Sequence, residues 1–250
     1  MRSQRFALWV AIALAVGTAR AITVDELIAK NIEARGGLDK LAAVRSLRTE
    51  GTRTRSGGGF EMSFVEIKKR PGAMRSDATL QGLTMVRAYD GEEGWTIQPF
   101  RGRKDPERLS ADAVKELGYD ADLDGPLVDA AAKGNKIEYL GTEDVDGTDA
   151  HKLRVTRPGG DVDYLYLDPD YFLEIRRVAQ HRVRGTLTES ETDFGAYERV
   201  NGVYLPFSIE SGPKGSTEKG QKVTITKAEA NVAVDDAIFR FPGGAPAAAK

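Results

Sequence analysis

Residues 200–209 read Val200-Asn201-Gly202-Val203-Tyr204-Leu205-Pro206-Phe207-Ser208-Ile209, and this stretch decides the fold class. Asn201-Gly202 favours positive φ at two successive residues, the requirement of a two-residue hairpin turn. Beyond it, Val203, Leu205, Phe207 and Ile209 recur at every second position. That period places them on one apolar face of an extended strand.

The same signals repeat along the chain. Asp90-Gly91 and Asp146-Gly147 are further hairpin pairs, and Pro158-Gly159-Gly160 and Asp168-Pro169-Asp170 supply two more turns. Gly57-Gly58-Gly59, between Arg55 and Phe60, has the setting of a hairpin connection and lacks the lysine of a phosphate loop. Spacing of these turns predicts about eleven strands, spread over 47–100 and 136–231. The expected architecture is mainly β, an antiparallel sheet rolled toward a barrel. A rolled sheet of that width is too wide for its own side chains to fill, so helices, water or a ligand should occupy the middle.

Helices are expected at two places. Thr23-Val24-Asp25-Glu26 has capping-box spacing, and Gly36-Gly37 allows the left-handed turn that ends a first short helix before a second, within 24–44. Ala111, Ala113, Val114, Leu117, Leu127, Val128 and the alanines at 130–132 mark a helical insertion over 110–133. Gly118, Gly125 and Pro126 should break that insertion into at least two pieces.

The chain begins with Arg2 and Arg5, continues through eleven apolar residues from Phe6 to Val16, and reaches Ala19-Arg20-Ala21. This is the pattern of a cleavable export signal over 1–21, cut after Ala21, and its apolar run is shorter than the roughly 18 residues a membrane-spanning helix needs. A single domain over 22–242 and a disordered tail over 243–250 follow. The expected location is outside the cytoplasm. With Ile22 rather than cysteine after the cut, the product is expected to be released and not to span the membrane. Loss of three leader arginines takes the formal charge from −2 to −5, which argues against a nucleic-acid partner. The chain has no cysteine, so disulfides, thiolate nucleophiles and thiolate metal sites are excluded.

There is no G-x-S-x-G nucleophile elbow. Asp120, Asp122, Asp124 and Gly125 match the start of a calcium loop, but Pro126 and Ala131 stand at its seventh and twelfth positions, where Ala131 replaces the required bidentate acid. A solvated acidic loop is the preferred reading. His151 and His181 lie on separate predicted strands without nearby metal-ligating partners. No cofactor is expected, and the protein is expected not to be an enzyme.

Bulky flexible side chains alternate on several predicted strands: Met62 with Phe64, Leu83 with Met85, and Trp95 with Ile97. Tyr164 and Tyr166 oppose Leu165 and Leu167 on a strand apolar on both sides, which implies cover on both. With Trp9 lost in the leader, Trp95 is the sole tryptophan and the expected fluorescent reporter of a bound ligand.

Five stretches resemble the LolA-like group of bacterial outer-membrane lipoprotein-sorting proteins. They are Ala34-Arg35-Gly36-Gly37-Leu38, Tyr89-Asp90-Gly91 through Trp95 to Pro99-Phe100, Asp124-Gly125-Pro126-Leu127, Tyr166-Leu167-Asp168, and Asp235 to Pro242. The resemblance implies a curved antiparallel half-barrel whose concave apolar face lies under lid helices and holds acyl chains. On that basis Met62, Phe64, Leu83, Met85, Trp95, Ile97, Phe100, Leu117, Leu127, Tyr164 and Tyr166 are the expected ligand-binding set. Carriers of the group also place an arginine in the cavity, and no arginine here aligns with it. The expected role is a periplasmic carrier or binder of lipoprotein acyl chains or another hydrophobic ligand. Its partner would be a lipidated protein or hydrophobic small molecule, with envelope membrane proteins as further contacts. A non-catalytic sensor or protein-interaction module of the same fold is the alternative.

Overall fold

Thr23 opens the first helix as its capping box requires. Its hydroxyl accepts from the Glu26 amide at 3.2 Å, and its own amide donates to Glu26 Oε2 at 2.8 Å. The computed structural model describes residues 22–55, 59–183, 185–216 and 218–243, so the export signal and nearly all of the expected tail lie outside the described residues. Helix α1 (Val24–Ala34) is followed by α2 (Leu38–Ala43) across Gly36 and Gly37, both at positive φ.

Five strands come next: β1 (Ser46–Arg55), β2 (Glu61–Lys69), β3 (Ala73–Leu80), β4 (Leu83–Tyr89) and β5 (Gly94–Gln98). A sixth, β6 (Arg103–Arg108), precedes helix α3 (Ala111–Ala121). The remainder is β7 (Lys136–Val145), β8 (Thr148–Thr156), β9 (Val162–Leu167), β10 (Glu174–Val183), β11 (Thr186–Val200), β12 (Val203–Pro213) and β13 (Gln221–Ala230). Each of the five turn signals falls between two consecutive strands. At Asp146-Gly147 and Asn201-Gly202 both residues have positive φ, as the short hairpins demand.

The expected half-barrel of about eleven strands is corrected to one open antiparallel sheet of thirteen, in the order β6-β5-β4-β3-β2-β1-β13-β12-β11-β10-β9-β8-β7. Among the described residues no strand pairing joins the edges β6 and β7, so the ladder does not close. β6 lies outside the predicted strand ranges because Arg103-Lys-Asp-Pro-Glu-Arg108 has no apolar alternation. Proline and charge suit it to an edge, where one side of the backbone needs no partner.

Topology explains where the helices lie. The chain meanders outward from β1 to β6 at one edge, then restarts with β7 at the other edge and meanders back until β13 pairs with β1. The connection between β6 and β7 must therefore run from edge to edge across one face, and α3 is its helical part. The remainder of the expected 110–133 insertion is not helical: residues 126–134 form turns, with Gly125, Asp129 and Gly134 at positive φ. Gly118 does not break α3, since one helical glycine costs only about 1 kcal/mol.

The helix-side face divides into packed zones. Leu27 of α1 and Leu127 of the crossover bury Leu153, Val155, Leu165 and Leu167. Leu41 of α2 packs with Val44, Val128 and Val203, with Leu205 alongside, and Leu117 and Ala121 of α3 pack on Met74. Full burial of a leucine contributes about 2 kcal/mol, so these contacts fasten the helices to the sheet. The opposite face holds two clusters, Val86, Ala88 and Trp95 near one edge, and Val145, Ala150, Tyr166 and Val178 near the other.

Candidate functional site

Strand registry sorts the expected ligand-binding residues onto two faces. Phe64 pairs with Ala78, which pairs with Met85, and Met62 shares the parity of Phe64. Lys68, four residues on from Phe64, pairs with Met74 beneath α3, so this row faces the helices. Leu83, two residues before Met85, shares its parity and is 43% exposed. Trp95 pairs with Ala88 on the other parity, and Ile97 with Val86. Both point away from the helices, as do Tyr164 and Tyr166, which pack with Val178.

The set therefore does not meet in one place. Met62, Phe64, Leu83 and Met85 share the helix-side face. Leu117 and Leu127 are part of its cover, and Phe100 sits exposed in a short 3-10 turn, Pro99–Arg101, after β5. Trp95 is 2% exposed, donates from Nε1 to the Phe239 carbonyl at 2.7 Å, and meets the Phe241 ring edge-on at 6.5 Å. The closing segment Asp235 to Phe241 is thus a strap on the far face, and Trp95 reports the strap.

Between the helices runs an apolar cluster built from strands alone: Phe64, Ala78 and Val223, with Met62, Met85, Ile209 and Ile225. No helical side chain belongs to it. Beside it the same face turns polar, because Glu66 pairs in register with Ser76, Ser76 with Arg87, and Arg87 with Thr96. Lys68 Nζ lies 3.4 Å from Glu66 Oε1. Arg177 of β10 holds Glu174 with two bonds of 2.7 Å, and its guanidinium lies over the Phe194 ring.

Electrostatics link these groups under α3. Desolvation raises the Asp120 carboxyl pKa, opposed by Lys68, Arg87 and Arg177. Burial pulls the Lys68 and Arg177 values down, but neighbouring acids outweigh it and both end above their ordinary values. Arg53 goes the other way: desolvation, then the like charges of Arg87 and Arg55, lower it against the pull of Glu66. A cleft of ≈ 600 Å³, lined by Arg55, Ser190, Thr192, Ser211, Gly212, Gly220 and Gln221, opens on this face. Its row leads in register from Arg55 through Gln221, Ser211 and Thr192 to Arg177.

The acidic loop is held by cations of the chain itself. Lys133 Nζ donates to Asp122 Oδ2 at 2.6 Å, Arg70 grips Asp124, and Arg35 donates to the Asp124 carbonyl at 2.5 Å. Asp120, exposed at the end of α3, takes no part in these bonds. Among the described residues no three His, Cys, Asp or Glu side chains converge to hold a metal ion. His151 bonds the Tyr139 hydroxyl at 2.9 Å and stacks on Phe172, while His181 Nε2 lies 3.5 Å from Asp163 Oδ1.

Arg53, Glu66, Lys68, Ser76, Arg87 and Arg177 form no part of the sequence-derived set. A signal was available for two of them: Glu66 and Lys68 continue the period-two row of Met62 and Phe64.

The open antiparallel sheet, with α1, α2 and the helical crossover on one face, is a fold shared with solved structures. A DUF1329 family protein from Desulfovibrio piger matches with a TM-score of 0.59 and 14% identity, covering 88% of this chain and 98% of its own. A LolA superfamily protein from Nitrosomonas europaea matches with a TM-score of 0.58 and 13% identity, over 88% and 98% of the two chains. A domain described as an outer-membrane lipoprotein-sorting protein, from Vibrio parahaemolyticus, gives 0.55 and 12%, over 85% and 94%. At these identities the fold is what is shared. No family model and no curated protein matches the chain.

Proposed function

We propose that the chain is a non-catalytic binding or sensor module of the bacterial envelope that engages its partner with the helix-side face of the sheet. The observation that carries this reading is the strand-only cluster of Phe64, Ala78 and Val223 with Met62, Met85, Ile209 and Ile225. Neighbouring zones of the same face are covered by α1, α2 and α3, whereas here Phe64, Ala78 and Val223 are buried among strand side chains alone, two of them partly buried methionines that adapt to varied apolar shapes. The lack of a nucleophile elbow supports binding without turnover, and the export signal read in 1–21 supports a periplasmic site. Among the described residues no helix is long and apolar enough to cross a membrane.

Carriage of lipoprotein acyl chains is the narrower form of this reading. The charged side chains of Glu66, Lys68 and Arg87 beside this cluster favour the sensor or interaction form. Bare acyl chains laid against them would desolvate charges without replacing their water, while a partner bearing its own polar groups satisfies them. The test is mass spectrometry of whatever co-purifies with the protein, compared between the parent and Met85→Glu. We expect an acyl-bearing molecule or one stoichiometric envelope protein, reduced in the variant. An identical profile in both would refute the assignment of this face.

A further inference from the structure

Turns at one end of the sheet carry three exposed apolar side chains that strand registry sets at one level. Val86 pairs with Ile97, and the same register carried three residues on sets Leu83 opposite Phe100. Ser63 pairs with Thr79, which sets Phe60 level with Gly82, in the turn just before Leu83. Strands β5, β4, β3 and β2 are successive neighbours about 5 Å apart, so the three side chains fall within about 15 Å. Phe60 is 58% exposed, Phe100 44% and Leu83 43%. A single exposed apolar side chain is ordinary, whereas three on neighbouring turns form a patch that water covers poorly.

Cations surround this patch. Arg55 stands opposite Phe60, one step beyond the pair of Thr54 and Glu61; Arg101 follows Phe100 in its turn, and Arg103 and Lys104 open β6. All four are exposed, as are Arg182 and Lys214 near later turns at the same end. The exposed acids beside these turns are Glu61, Asp105 and Glu218. Among the described residues Arg55, Arg101 and Lys104 form no ion pair. Turns at the opposite end have the reverse sign, with Asp90, Glu92, Glu93, Asp146, Asp168 and Asp170. The cations there, Lys69 and Arg70, already hold Asp236 and Asp124.

We infer that this end of the sheet docks on the surface of an anionic phospholipid membrane. Phe60, Leu83 and Phe100 enter the boundary between headgroups and acyl chains, and the surrounding cations meet lipid phosphates. An apolar patch ringed by arginine and lysine fits both properties of that surface. An acidic protein would match the cations and give the three apolar side chains nothing to enter. A second copy of this chain would bring like charges together. The acidic turns at the far end are repelled by the same surface potential, which orients the molecule with its basic end down. This surface is separate from the strand-only cluster of Phe64, Ala78 and Val223, so its failure would leave the helix-side reading standing.

Vesicle flotation tests this on the exported protein, free of its apolar leader. The probes are vesicles of phosphatidylcholine alone and of phosphatidylcholine mixed with phosphatidylglycerol. We expect the mixed vesicles to be bound about tenfold or more tightly than the neutral ones, with binding weakened by salt. Phe60→Ser combined with Phe100→Ser should weaken that binding about tenfold or more, as should Arg101→Gln combined with Lys104→Gln. Tyr171→Ser removes a ring that is 72% exposed at the opposite end and should leave binding unchanged. These side chains are exposed, so each variant should unfold at the parent's temperature. Binding of neither vesicle, or equal binding of both, overturns the proposal. Full retention by the serine pair overturns it too, as does an equal loss in Tyr171→Ser. Polyglutamate bound as tightly as the mixed vesicles, with the serine pair harmless to both, would assign this end to an acidic protein and overturn the membrane.

Discussion

Arg70 clasps Asp124 from across the chain, with Nη2 donating to Oδ1 at 2.6 Å and Nη1 to Oδ2 at 2.5 Å. The same guanidinium donates to the Leu41 carbonyl at 2.9 Å and, through Nε, to the Val44 carbonyl at 2.8 Å. One side chain thus joins the end of β2, the end of α2 and the crossover that carries α3. Asp124→Asn keeps the shape and removes the charge, so it should cost about 1–3 kcal/mol in urea unfolding. The bond from Arg70 is the main reason the Asp124 pKa lies below 3.8, outweighing desolvation. A lowered folded-state value means that the contribution is complete above the ordinary carboxylate range and is lost as pH falls through the lowered value. Below about 3.8 the parent should lose stability with acid more steeply than the variant.

His181 carries the opposite sign. The Asp163 carboxylate, 3.5 Å from its Nε2, raises its pKa above 6.5 against the effect of burial, so its contribution is full below that value and is lost as pH rises through the raised one. Asp163 keeps Arg157, whose Nε donates at 2.7 Å, when the imidazole is gone. His181→Gln should therefore fold but lose part of the parent's stability difference between mildly acidic and alkaline buffer. Denaturant titrations at pH on either side of the histidine range measure that difference, and an unchanged difference would discard the pairing.

Gly36 meets the hairpin that opened the sequence reading. A Cβ there would stand 2.3 Å from the Gly202 carbonyl oxygen, and the Tyr204 amide donates to the Arg35 carbonyl at 3.0 Å beside it. Gly36→Ala should cost more than about 2 kcal/mol, since it adds a backbone overlap to the strain of a φ of +119°. Gly37→Ala meets no neighbour and should cost less, its φ of +90° being the sole penalty. Thermal unfolding of the two variants compares them directly.

Trp95 gives the strap an optical readout. Phe239 is 1% exposed and its carbonyl accepts the indole N–H, so Phe239→Ala should cost about 3–5 kcal/mol and move Trp95 emission to the red as water reaches the ring. An apolar ligand seated on the helix-side face should leave that emission in place, because the indole points to the opposite face. A ligand-induced shift as large as the one caused by Phe239→Ala would contradict the assignment of faces.

Local chemistry accounts for what was legible beforehand. The capping box at Thr23, the positive-φ pairs at Asp146-Gly147 and Asn201-Gly202, and the alternation from Val203 to Ile209 each involve neighbours in the chain. Such signals act through backbone sterics and period, and they named the helix pair and most strands. They carry nothing about closure, which is why a rolled sheet was expected and an open one of thirteen strands is found.

Sequence alone determined the antiparallel strands, their turns, the missing thiols and the missing nucleophile elbow. Tertiary structure alone decided which parity of each strand lies beneath the helices. That choice put Met62, Phe64 and Met85 on one side, Trp95 and Ile97 on the other, and brought Arg53, Ser76 and Arg87 to the first. The physical reason is that alternation separates two faces without labelling them. The label comes from the connection between β6 and β7, which must cross from one edge of the sheet to the other and can cover only one face.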